Sequence, residues 1–335
     1  MKKVLAINVL VFVGIIVLLE GSARLAVSQN EVNPVFDDQS LRVRDRPFVE
    51  TDEVRGFALK SGFKSDLYSI NANGFRGGEL PPDLGEKYVI LALGESTTFG
   101  WGVDDQHTYP YLLNTHFQHD DVYIVNAGIP SYTSAQTLLY LKEILNKKEI
   151  DPRFALINIL WNDVWYSTVK NWDPEILVHQ RPPVWFGLMS KYSRLFNVIF
   201  MGLRSRELVN VVNEKAVQEY GHNLEKMILL CRDNNIKVAF VEPPFDADHV
   251  SEDGLNEFHT QYTKSFLIDT AKHYAEKMHE VAAKYGVAVI KHQFDLFGNL
   301  NHYDLFLDGM HPNPAGNNLM AKDVYDKLSP VIGYN

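Results

Sequence analysis

A single cysteine, Cys231, among 335 residues leaves the chain unable to form an intrachain disulfide or a cysteine-based metal site. Basic residues do not cluster beyond Asn146-Lys147-Lys148, and the formal net charge of −10 disfavours nucleic acid as a partner. No histidine pair has the helical His-x-x-x-His spacing of a metal site. His292, His302 and the remaining histidines show no metal-like spacing, most of them read as solvated, and neither metal nor cofactor is expected. Internal repeats and low-complexity tracts are absent. What remains is a composition of 46% apolar and 22% charged residues, enough to bury one large core.

The N-terminus has the one long apolar run. Lys2 and Lys3 precede a charge-free stretch from Val4 to Leu19, interrupted by Asn8 and ended by Glu20. Its sixteen residues fall short of the roughly 20 that span a bilayer, although Gly21 to Val27 can extend the helix through the interface. Residues 1–27 are therefore expected to be a membrane helix with its lysines inside. The alternative is a signal segment cleaved near Ala26-Val27-Ser28, and Arg24 and Leu25 argue against it. Either reading exports the remainder, to the periplasm or the extracellular side, anchored or secreted.

Residues 28–85, polar and turn-rich around Asn71-Ala72-Asn73-Gly74-Phe75-Arg76-Gly77-Gly78 and Pro81-Pro82, read as a linker followed by irregular or short antiparallel structure. From there to residue 335, β-branched apolar runs alternate with longer helical patterns, the signature of an α/β domain with a parallel sheet. Five strands are expected, at 88–93, 122–125, 154–160, 238–241 and 287–290. Helices are expected at 109–117, 134–146, 208–234, 256–285 and 315–328, the last capped by Asn313 with Pro314 in its first turn. Residues 171–207, rich in large apolar groups, interrupt this rhythm. They read as an insertion that either lines the site or packs simply as helices.

Gly94-Glu95-Ser96-Thr97 directly follows the first of these strands, placing a hydroxyl where a buried strand turns toward a helix. Asp308-Gly309-Met310-His311 lies far along the chain. A serine is a poor nucleophile until a base takes its proton; His311 is the candidate base, and a spacing of three lets Asp308 fix its tautomer. Attack by Ser96 on a carbonyl builds negative charge on oxygen, which needs donors already in place. The backbone amides of Ser96 and Gly128 and the side-chain amide of Asn162, all at expected strand ends, are the candidate oxyanion hole. Asp163 reads as structural. Trp101, Trp161 and Trp165 read mainly as core, with Trp101 and Trp161 flanking the motifs.

Together Gly94-Glu95-Ser96, Gly128, Asn162-Asp163 and Asp308-x-x-His311 resemble, in this order, the SGNH (GDSL-like) hydrolase superfamily over about residues 86–330. Asn71 to Gly77 is similar to the lead-in of its membrane-anchored members. The resemblance implies a three-layer α/β/α flavodoxin-like domain and ester chemistry without a metal. Two residues depart from the pattern: Glu95 stands where Asp is usual, and Leu160 where a glycine is common. The leading expectation is a serine esterase acting through an acyl-enzyme on a glycan or lipid ester. The alternatives are an O-acyltransferase using the same site and a catalytically silent glycan-binding or assembly protein.

Overall fold

The computed structural model describes residues 2–26, 46–117, 121–167, 172, 192–203, 211–246, 264–292 and 303–333. In chain order its first elements are α1 (Lys2–Ala26), β1 (Val49–Asp52), β2 (Gly56–Leu59), β3 (Tyr88–Gly94), α2 (Ser96–Phe99) and α3 (Tyr109–His116). Next come β4 (Val122–Gly128), α4 (Ser134–Lys147), β5 (Pro152–Asn158) and α5 (Trp161–Ser167). The remainder is α6 (Arg194–Leu203), α7 (Glu214–Asp233), β6 (Lys237–Val241), α8 (Lys264–Tyr285), β7 (Ala288–Ile290) and α9 (Pro314–Ile332). Two compact units result, one from residues 1–46 and 180–207, the other from 47–179 and 208–335.

In the first unit α1 packs on α6, and the Glu20 carboxylate accepts from the Arg194 and Leu195 amides at 2.8 and 2.9 Å. A carboxylate there answers the unsatisfied amides and positive end of a helix N-terminus. Among the described residues no helix is long and apolar enough to cross a membrane. The charge-free part of α1, Val4 to Leu19, extends only about 24 Å against a hydrocarbon core of about 30 Å. The expected linker at 28–45, the Arg181-to-Phe186 run, His302 and the starts of the expected 208–234 and 256–285 helices lie outside the described residues. Of the 171–207 insertion, only 172 and 192–203 are described.

The second unit carries a five-stranded sheet in the order β4-β3-β5-β6-β7, every pair parallel. Helices cover both faces: α3 packs with α9, and α7 packs with α4 and α8. Six of the seven β3 residues are buried, as a strand covered on both sides requires, which is why β3 reads as an unbroken apolar run. Ile90, Ala92, Ile124, Phe154, Leu156 and Val241 form one core with Tyr109 and Leu113 of α3 and Met320 and Val324 of α9. The start of α9 is fixed as its sequence anticipates, with the Asn313 side chain accepting from the Ala315 and Gly316 amides. Cys231 lies fully buried on α7, where burial pushes its thiol up to about 12.

Chain order reverses at β3: the path runs from β3 outward to β4, then crosses back to β5. Such a reversal opens a crevice beyond the strand C-termini, and Gly94, Gly128 and Asn158 end the three strands that border it. The short segment before the sheet is ordered too. β1 and β2 pair as an antiparallel hairpin, and Tyr132 donates its hydroxyl hydrogen to the Phe57 carbonyl at 2.5 Å. Most histidines read as solvated, but His292 is buried just beyond β7, with its Nδ1 3.5 Å from the Asp323 carboxylate.

Candidate active site

Ser96 opens α2, a single helical turn that ends on left-handed Gly100. At the first helical position its N–H has no intrahelical acceptor. The turn lies close against the sheet: a methyl group at Gly128 would run into the backbone of Thr98 and Phe99, so only glycine admits this approach. His311 and Asp308 come from the loop before α9. That loop is pinned by Leu307 N to His311 O at 2.8 Å, Asp246 N to Gly309 O at 2.8 Å, and the Asn317 side chain to Pro312 O at 2.7 Å.

These two distant segments meet. His311 Nε2 lies 2.8 Å from Ser96 Oγ, and His311 Nδ1 lies 2.7 Å from Asp308 Oδ2. The other Asp308 oxygen accepts from the Met310 and His311 amides at 3.1 and 2.9 Å. Burial pushes the Asp308 carboxyl up, but the hydrogen bond and charge of His311 and these amides outweigh it and hold it below the usual carboxylate value. An ionised Asp308 keeps the proton on Nδ1, leaving Nε2 with a lone pair facing the serine. Among the described residues no group of three or more His, Cys, Asp or Glu side chains is placed to hold a metal.

Glu95 is fully buried beside the serine. Its carboxylate accepts from the amides of Leu160, Trp161 and Asn162 at 3.2, 2.8 and 2.9 Å, and from the Asn162 side chain. Burial drives it up to about 7 against those donors, of which the Asn162 and Trp161 amides pull hardest. The additional methylene relative to Asp thus spans the gap to the start of α5. Leu160, fully buried at the other departure from the pattern, contributes one of the donors. Asp163 caps α4, accepting from Ser134 N and Oγ at 2.7 and 2.6 Å, and burial raises its carboxyl to about 7 as well.

The candidate oxyanion donors are differently placed. Gly128 N–H donates to the Asn126 side-chain carbonyl at 3.0 Å. Asn162 Nδ2 points at Glu95 Oε2 and at the Tyr132 carbonyl, 3.0 Å away, which occupies both its hydrogens. The Tyr132 carbonyl belongs to a loop in which buried Ser131 adopts φ 72°. A non-glycine residue in left-handed backbone is held there by its surroundings, and nothing in the sequence around Ser131 signals it. Trp161 is core, its ring 4.9 Å from that of Phe245, while half-buried Trp101 has its ring 6.4 Å from the His311 imidazole.

Residues 92–319 match the GDSL-like Lipase/Acylhydrolase family. Comparison with curated proteins gave no match. Among solved structures the chain is similar to the psychrotrophic esterase EstA from Pseudoalteromonas sp., at 18% identity over 74% of this chain and 100% of that one, with a TM-score of 0.46. It is similar also to a GDSL-like lipase from Bacteroides thetaiotaomicron, at 16% identity over 75% and 93%, TM-score 0.47. A lipase/acylhydrolase from Enterococcus faecalis shares 19% identity over 72% and 96%, TM-score 0.45. With the family matched across most of its length, the chain belongs to the GDSL-like lipase/acylhydrolases and is an ester-hydrolysing serine hydrolase.

Proposed function

We propose that the protein hydrolyses a carboxylic ester, an acyl or acetyl group on a glycan or lipid, through an acyl-enzyme formed on Ser96. The 2.8 Å approach of His311 Nε2 to Ser96 Oγ carries this reading. Ser96 Oγ attacks the ester carbonyl while Nε2 takes its proton, and Asp308 stabilises the resulting imidazolium. The charge on the carbonyl oxygen is met first by the Ser96 amide. Gly128 N–H and Asn162 Nδ2 join it by sharing hydrogens now directed at Asn126, Glu95 and Tyr132. Collapse of the tetrahedral intermediate breaks the bond to the alcohol oxygen, which receives the proton from Nε2. Water then repeats the sequence on the acyl-enzyme and releases the acid.

The unbroken chain of hydrogen bonds from Asp308 to Ser96 counts against a silent binding protein, which has no need of it. Ser96→Ala is expected to abolish turnover of a short-chain p-nitrophenyl ester while preserving the melting temperature. Unchanged turnover would refute the assignment. We infer also that α1 holds the protein to a membrane, with the catalytic unit outside the cytoplasm. Val11, Phe12, Val13 and Ile15 to Leu19 expose their side chains around the whole helix. Recovery of the full-length chain in the soluble fraction after cell lysis would count against attachment.

A further inference from the structure

The Ser96 turn is too short to hold itself in place. One turn of helix repays little of its nucleation cost, so its position must come from tertiary partners. Glu95 supplies one, at the start of the turn. The structure assigns the other to Arg76: we propose that this residue, outside the family-matched segment, is a positioning residue that clamps the end of the nucleophile turn.

The guanidinium reaches the segment that carries Ser96 at two points. Its Nε donates to Phe99 O, the last residue of α2, at 3.2 Å, and its Nη2 donates to Val103 O at 3.0 Å. Nη2 also donates to Leu67 O at 3.2 Å, and Nη1 pairs with Asp105. The guanidinium also rests against the Tyr68 and Phe99 rings, which meet edge to face, with Cζ 4.6 and 4.8 Å from their centroids. Its own backbone N–H donates to Asn126 O at 3.0 Å, which ties the clamp to β4 beside Gly128. The side chain is 1% exposed, and burial lowers it to about 10, so it keeps its charge at neutral pH.

A planar fork is needed because the acceptors diverge. A lysine offers a point charge that cannot serve Phe99, Val103, Leu67 and Asp105 together. The cost of losing it falls on alignment: displacing a reacting atom by about 1 Å can lower the rate about 10²-fold without changing how substrate binds. This role rests on Ser96 being the nucleophile, and the experiment separates the two claims.

Wild type, Arg76→Ala and Arg76→Lys would each be labelled with a fluorophosphonate. A separate, unlabelled portion of each would be assayed on p-nitrophenyl acetate well below its melting temperature, with rates expressed per active site as titrated by the label. Arg76→Ala is expected to lose about 30- to 100-fold in kcat with KM changed less than about threefold, the pattern of a misaligned nucleophile. Added guanidinium ion at low concentration is expected to restore at least about fivefold of that loss, whereas methylammonium at equal strength restores none. Arg76→Lys, which preserves charge and bulk, gives the same kcat-selective loss if Arg76→Ala fails to fold. Full kcat per titrated site in either folded variant, or a loss confined to KM, overturns the clamp alone. Wild type that neither labels at Ser96 nor turns over overturns the clamp together with the proposed function.

Discussion

Replacing Asp308 by Asn tests how His311 is held. The substituted side chain can still accept from the Met310 and His311 amides through its carbonyl oxygen, so the loop keeps its shape. Its NH2 now faces His311 Nδ1, 2.7 Å away in the native arrangement, and that nitrogen must become an acceptor. The ring proton moves to Nε2, which then offers a hydrogen to Ser96 Oγ where it has to offer a lone pair. Restoring the productive tautomer breaks a neutral hydrogen bond, about 1 kcal/mol, and forfeits a charge-assisted one to the imidazolium, about 1.5–3 kcal/mol. Together these lower kcat/KM by about 10²- to 10³-fold. The assay is initial-rate hydrolysis of p-nitrophenyl acetate at about pH 7.5, with a thermal melt on the same sample to show an intact fold. A folded Asp308→Asn protein within about fivefold of wild type would refute the tautomer argument.

Further outcomes follow from the buried carboxylates. Glu95→Gln turns an amide NH2 toward a set of donors, leaving at least one of them unmet, and should cost about 1–3 kcal/mol of stability along with a fall in kcat; chemical denaturation and steady-state rates check it. Burial raises both Glu95 and Asp163 to about 7, whereas the unfolded chain releases those protons near pH 4. The folded protein therefore binds more protons between about pH 4 and 7, so the stability tied to these groups is greatest below that window and declines as pH rises through 7. Asp163→Asn can keep both contacts to Ser134 and removes one titration, so its melting temperature should fall less than that of wild type between about pH 5 and 7.5. Parallel curves for the two proteins would contradict the assignment.

The sheet was legible because its strands are buried on both faces, and an apolar run bounded by turn residues has few other uses. β3 and β4 nevertheless run one and three residues beyond their expected ends, to Gly94 and Gly128. The polar Asn126 looks like a turn, yet its side chain stays in the sheet and bonds the Gly128 amide. Ser96, Asp308 and His311 could be read from residue type and order, since each sits at a chain reversal that their elements dictate. The present engagement of the Gly128 and Asn162 donors could not, because their acceptors, Asn126, Glu95 and Tyr132, are set by local geometry and packing. Arg76 and Ser131 were opaque for the same reason: a buried guanidinium and a strained backbone angle leave no periodic trace.

The most direct measurement of the central claim is intact-mass and peptide mapping after reaction with a fluorophosphonate. One covalent adduct on Ser96, lost in Ser96→Ala and strongly slowed in His311→Ala, is the predicted result. Folded protein that remains unmodified, or that carries the adduct on another residue, would contradict the account.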